Sequence, residues 1–203
     1  MKLADLALDP NKRYTYKDYL SWPDEFRCEL INGVIYDMCA APRRVHQEVL
    51  GDLNDVFRVF FKGKQCAVYF APFDVVLTAF GDRESESDTV VQPDLSVFCD
   101  RGKLTDAGAT GSPDLVVEIL SPSTAFKDQE EKRLLYERHR VREYWVVNPA
   151  NETVMVYVLG DEDGFKRPLL VCRGEVVKSV IFPGLEAAID TILPAKEGKG
   201  IPG

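Results

Sequence analysis

Residues 113–120 read PDLVVEIL, a short run of aliphatic side chains bounded by Pro113 and by Ser121-Pro122. Such a run has the length and composition of a buried β-strand. One residue does not suit that reading, because Glu118 sits inside it. Residues 90–98, VVQPDLSVF, repeat the pattern with Asp94. Burying an unpaired carboxylate costs several kcal/mol or more, so each needs a compensating partner. If the two strands are neighbours, the carboxylates repel. One then takes up a proton, or a cation binds between them. Carboxylate and carbonyl oxygens are hard ligands suited to Mg²⁺ or Mn²⁺. The competing reading is that both carboxylates lie at strand ends on a solvated rim, and spacing alone does not separate the two.

The flanking sequence alternates between helical and extended patterns. ELINGVIYDM (29–38) places apolar residues on both sides of Asn32-Gly33, a strong hairpin signal. Residues 44–62 carry apolar side chains at 45, 49, 53, 56 and 60, which is helical spacing. Residues 65–80 read as one long strand or a strand pair interrupted at Pro72. A second helix is expected over 124–139, capped by Ser123 or Thr124. Strands follow at 143–149 and 153–159, one or two more lie between 167 and 182, and GLEAAIDTIL (184–193) reads as a short helix. This order predicts an α+β fold in one domain spanning 1–203. Its central mixed sheet carries strands near 65–80, 90–99, 114–120 and 143–148 and is flanked by helices. The core spans about 14–190, and residues 195–203 form a flexible tail.

Composition narrows the function classes. The chain has 203 residues, 45% of them hydrophobic and 29% charged, as in ordinary globular proteins. No apolar run reaches the length of a membrane span, and the first residues lack a signal-peptide pattern. A cytoplasmic protein without membrane association is expected. The five cysteines are scattered and odd in number, and none form CxxC. They are expected to be small buried residues in a reducing compartment, not disulfides or zinc ligands. A net charge of −8 counts against tight, nonspecific nucleic-acid binding, but leaves room for a local basic groove.

Several segments occur in one order: ELINGVIYDM and a following His46, QPDLSVF, PDLVVEILSPST, the Asp128/Lys132/Tyr136 set, and EYWVVNP. The series resembles the Uma-type putative endonuclease family of the restriction-endonuclease-like PD-(D/E)XK superfamily, over residues 14–190. The resemblance implies an N-terminal β-hairpin on a restriction-endonuclease-like core and a Mg²⁺- or Mn²⁺-dependent endonuclease acting on nucleic acid, DNA in preference to RNA. It implies Asp94 and Glu118 as metal ligands, with the carbonyl of Ile119 as a third. The superfamily lysine is expected two residues after the glutamate, where this chain has Leu120. In the Uma-type pattern that lysine moves to the following helix, which points to Lys132. A solvated lysine is the competing reading.

Glu29 matches the hairpin glutamate, as a further ligand, a partner of Lys132 or an exposed strand residue. His46 matches the histidine near the start of the long helix, where it binds a phosphate, orients a carboxylate or is structural. Asp74 is a weaker candidate. Ser121 and Ser123 suit turns and caps better than nucleophilic roles. Arg140 stands where the family often has a helix-ending glycine, which puts that helix end in question. Two other functions use the same residues: a non-catalytic binding or assembly module, and a metal-dependent hydrolase of small phosphoesters. A homodimer would suit an enzyme that cuts both strands of a duplex.

Overall fold

The computed structural model describes residues 8–9, 11–23, 25–38, 43–78, 83–121, 127–161 and 164–194. Cys39, the proposed caps Ser123 and Thr124, and the 195–203 tail lie outside the described residues. So does the side chain of Asp128.

The hairpin forms where Asn32-Gly33 predicts it. Strand β1 (Cys28–Ile31) pairs antiparallel with β2 (Val34–Asp37). Asn32 and Gly33 both take positive φ, 51° and 74°, as a two-residue primed turn requires. A short helix, α1 (Tyr16–Tyr19), packs its aromatic side chains under this hairpin, and the 18-residue α2 (Arg44–Phe61) follows it. Residues 65–80 form two strands, β3 (Ala67–Phe70) and β4 (Asp74–Val76), broken at the cis Ala71–Pro72 bond. The expected strand at 90–99 also divides, into β5 (Val90–Val91) and β6 (Leu95–Phe98). The cause is Gln92-Pro93-Asp94: proline has no N–H for a ladder, so the chain changes sheets there. The stretch between β6 and residue 113 holds a further strand that the sequence pattern does not signal, β7 (Gly108–Thr110). Next come β8 (Leu115–Ile119), α3 (Lys127–Arg138), β9 (Glu143–Asn148) and β10 (Thr153–Val158), then β11 (Leu169–Cys172) and β12 (Val176–Lys178). The stretch read as a C-terminal helix is half strand, β13 (Glu186–Ala188), and half a single turn, α4 (Ile189–Ile192).

The strands assemble into mixed sheets within an α+β fold. One sheet has the order β11-β10-β9-β8-β6-β3, with β8 and β9 parallel and the other pairs antiparallel. The second has the order β2-β1-β5-β4-β7, and β12 and β13 pair by themselves. The expected single sheet is therefore corrected, since half of 65–80 and half of 90–99 belong to the second sheet. β3 is not central but an edge strand.

Alternation on the six-stranded sheet divides the core. Leu115, Val117, Ile119, Trp145 and Val147 face α2, packing on Val49, Leu53 and Phe57. Val116, Tyr144 and Val146 face the other way, onto Leu135 and Tyr136 of α3 and Ile31, Val75 and Val91 of the second sheet. Period-two alternation makes β8 and β9 apolar on both faces, as expected for a sheet covered on each side.

The cysteine expectation is also corrected. Cys66 and Cys99 form a disulfide, because they extend the β3–β6 ladder by one residue pair beyond Ala67 and Phe98. Cys28 is buried and free; Cys172 is free but exposed. Among the described residues no helix is long and apolar enough to cross a membrane.

Candidate active site

Four elements converge on the Glu118 side chain. On β8 it points to the same face as Val116, towards α3. β6 pairs Leu95 with Val117, so the preceding Asp94 lies opposite Glu118 at the end of the ladder. On α3, Lys132 and Tyr136 are one turn apart on one face. On β1, Glu29 shares a face with Ile31, which packs in the α3-side core. The hairpin register therefore brings Glu29 to the same place.

The contacts are specific. Lys132 Nζ donates to Glu118 Oε1 at 2.9 Å and to Glu29 Oε1 at 3.0 Å. The Tyr136 hydroxyl donates to the same Glu118 oxygen at 2.6 Å. Glu29 and Glu118 are only 7% and 8% exposed, and the Lys132 ammonium is the compensating partner of both. Burial raises the Glu118 pKa, to about 7. Lys132 opposes the rise, and the charges of Asp94 and Glu29 add to it. For Lys132, burial alone would lower the pKa; the two carboxylates outweigh it and hold the ammonium well above its usual value. Lys132 is thus no solvated surface lysine.

Asp94 is fixed through both oxygens. Oδ2 accepts the Ile119 N–H at 2.7 Å, and Oδ1 faces His46 Nε2 at 3.1 Å. His46 comes from the first turn of α2. Burial lowers its pKa, but the Asp94 hydrogen bond and charge more than offset this and raise it. His46 Nδ1 is buried with no hydrogen-bond partner among the described residues.

The five side chains named from the sequence fall into two adjacent groups: Glu29, Glu118 and Lys132 are joined by direct hydrogen bonds, and Asp94 pairs with His46. The Ile119 N–H, next in the chain to Glu118, ties Asp94 to the first group. Asp74 stands one step behind. Its Oδ1 accepts from Gln92 Nε2 at 2.7 Å, and the Gln92 N–H donates to Glu29 Oε1 at 2.9 Å. The Tyr19 hydroxyl closes the chain on Asp74 Oδ2 at 3.0 Å. Sequence reasoning gave no role to Gln92 or Tyr136. Gln92 lies in QPDLSVF itself, and the four-residue spacing from Lys132 to Tyr136 is the signal that both share a target. The sequence pattern also gives no sign of Tyr144, whose buried hydroxyl has no partner among the described residues. Its ring lies edge-on to Tyr136 at 5.0 Å.

The end of α3 holds despite its unusual residue. Arg140 takes φ 59°, the left-handed conformation, with Val141 N–H donating to the Tyr136 carbonyl and Arg140 N–H to that of Glu137. That is a Schellman cap with arginine in the glycine position.

The chain resembles known proteins over most of its length. Residues 16–190 match the family described as Uma2, putative restriction endonuclease. The uncharacterized protein slr1290 of Synechocystis sp. is 25% identical over 156 residues, covering 75% of this chain and 78% of that protein. A crystal structure described as a putative nuclease belonging to DUF820, from Anabaena variabilis ATCC 29413, superposes with a TM-score of 0.68. It is 19% identical and covers 88% of this chain and 97% of its own. At that identity the likeness is one of fold.

Proposed function

Because the chain belongs to the Uma2 family of putative restriction endonucleases, we propose that it hydrolyses phosphodiester bonds of nucleic acid with Mg²⁺ or Mn²⁺, DNA being the expected substrate. The observation that carries this reading is the meeting of Asp94, Glu118 and Lys132 from two strands and a helix.

The donor set fits a hard cation. Among the described residues no three His, Cys, Asp or Glu side chains are grouped to hold a metal. The ion would instead be held by Asp94, Glu118 and the Ile119 carbonyl. Mg²⁺ is commonly bound through one or two carboxylates, with water and substrate phosphate completing the shell. Glu118 suits this role because Lys132 and Tyr136 both occupy Oε1, while Oε2 has no hydrogen-bond partner among the described residues. Such an ion polarises the phosphate and lowers the pKa of a bound water.

The chain's own residues do the rest. Lys132, held protonated by its two carboxylates, orients the attacking water or faces the charge that builds on the phosphate. Glu29 keeps the ammonium in place. His46 fixes the Asp94 carboxylate and, when protonated, adds positive charge beside it. Cutting both strands of a duplex would suit a homodimer.

The test is calorimetric titration of Mn²⁺ and Mg²⁺ into the wild type, Asp94→Ala and Glu118→Ala, beside a plasmid-cleavage assay. Metal binding lost in both variants, with cleavage that needs the metal, is expected. A wild type that binds neither ion at millimolar concentration would overturn the reading.

A further inference from the structure

A groove of about 800 Å³ runs between the C-terminal half of α2 and the edge strand β3. Its rim carries two cations, Arg58 and Lys62, and both are exposed. Neither makes an ion pair with any described residue. Its apolar part includes Val59 and Phe70, which are 77% and 44% exposed. Phe73 lies further along, stacked on Tyr69 with ring centroids 4.2 Å apart. β3 is the last strand of its sheet, and no strand covers this side among the described residues.

The groove and the carboxylate site share a stretch of backbone. Phe70 pairs with Leu95 in the β3–β6 ladder, and the next residue, Ala71, donates its N–H to the Asp94 carbonyl at 3.1 Å. One end of the groove is therefore attached to the backbone of a proposed metal ligand.

Charge selects the occupant. The chain carries −8 overall, yet this rim presents cations. A second copy docked edge to edge about a two-fold axis would set Arg58 and Lys62 of both copies against one another. A polyanion with flat apolar faces matches both features of the groove. Cations track a phosphate backbone, and an exposed aromatic ring accepts any base. The acidic remainder of the surface would repel the same polyanion and so confine it to this path.

We propose that the α2–β3 groove binds a single strand of nucleic acid, with Arg58 and Lys62 on its phosphates and Phe70 against a base, next to the Asp94 site. This deepens the nuclease reading and rests on it for the meaning of the bound strand, but it is tested apart from cleavage.

The measurement is fluorescence anisotropy of a labelled oligothymidylate in EDTA, titrated between about 50 and 200 mM salt. The double variant Arg58→Ala/Lys62→Ala is expected to weaken binding and to lower the slope of log affinity against log salt by about 1.4, two single-strand phosphate contacts. Phe70→Ala is expected to weaken binding about tenfold with the slope unchanged. All three side chains are exposed, so unaltered thermal melting will show that the variants fold. A wild type that fails to bind the strand, or a double variant with the wild-type slope, overturns the proposal. So does a wild-type dimer that the variants convert to monomer, since the groove would then be an interface between copies. Binding with the expected slopes but no metal-dependent cleavage would remove the nuclease reading and leave the groove standing. Cleavage unaffected by the variants, with unchanged slopes, would do the reverse.

Discussion

Lys132 Nζ lies 2.9 Å from Glu118 Oε1 in a buried pair, where the ammonium opposes the rise that burial gives the Glu118 pKa, and Glu118 together with Glu29 holds the ammonium protonated. Replacing Lys132 by alanine leaves Glu118 and Glu29 facing each other without a cation. Breaking a buried ion pair costs about 3–5 kcal/mol. Urea unfolding of Lys132→Ala at neutral pH is expected to show a loss of that order, and a loss below about 1 kcal/mol would mean the pair is solvated.

Glu118 also sets a pH dependence. Its pKa is raised on folding from the ordinary 4.5 to about 7. Between those values the unfolded carboxyl has lost its proton while the folded one retains it. The group's contribution is therefore fully present below about pH 4.5 and falls away as pH rises to about 7, by a few kcal/mol at most. In Glu118→Gln this slope disappears. Unfolding midpoints of both proteins across that window are the check; parallel curves would contradict the raised pKa.

Tyr136→Phe keeps the ring that packs on Tyr144 and removes only the hydroxyl bonded to Glu118. A hydrogen bond to a charged acceptor contributes about 1.5–3 kcal/mol. The variant is expected to lose stability in that range at pH 8, where Glu118 is ionised, and less at pH 5. Equal losses at both pH values would place the hydroxyl's effect in packing.

Arg140 holds the left-handed position at the end of α3, a conformation costing roughly 1–2 kcal/mol for a residue with a Cβ. Arg140→Gly relieves that cost and gives up guanidinium bonds to the Gly160 and Asp161 carbonyls. The bonds are exposed, so a net gain of about 0.5–1 kcal/mol is expected from thermal or urea unfolding. A loss would show that those carbonyl contacts dominate.

The Cys66–Cys99 bond closes a sequence separation of 33 residues. Chain-entropy reasoning gives about 3–4 kcal/mol for such a loop. Thiol titration of the denatured protein without reductant is expected to find three free thiols of the five cysteines, as two are bonded. Five free thiols would mean the pair stays reduced under the conditions used.

Local chemistry by itself determined the hairpin at Asn32-Gly33, the helix from Arg44, the buried strand around Glu118 and the helix carrying Lys132. Each is written in nearest-neighbour terms: turn residues, a helical or an alternating period. The residues of the candidate site were legible for a similar reason. A carboxylate in an apolar strand is costly enough to be conspicuous, and the ordered segments tied Asp94, Glu118, Lys132, Glu29 and His46 to one family pattern. Tertiary structure alone decided which strands share a sheet. Pro72 and Pro93 mark interruptions in sequence, but only packing sends Val75 and Val91 to one sheet and Tyr69 and Leu95 to another. It also decided that Glu29, 103 residues from Lys132, meets its ammonium, and that Cys66 meets Cys99. Those pairings depend on strand register across the chain, which a local pattern does not encode.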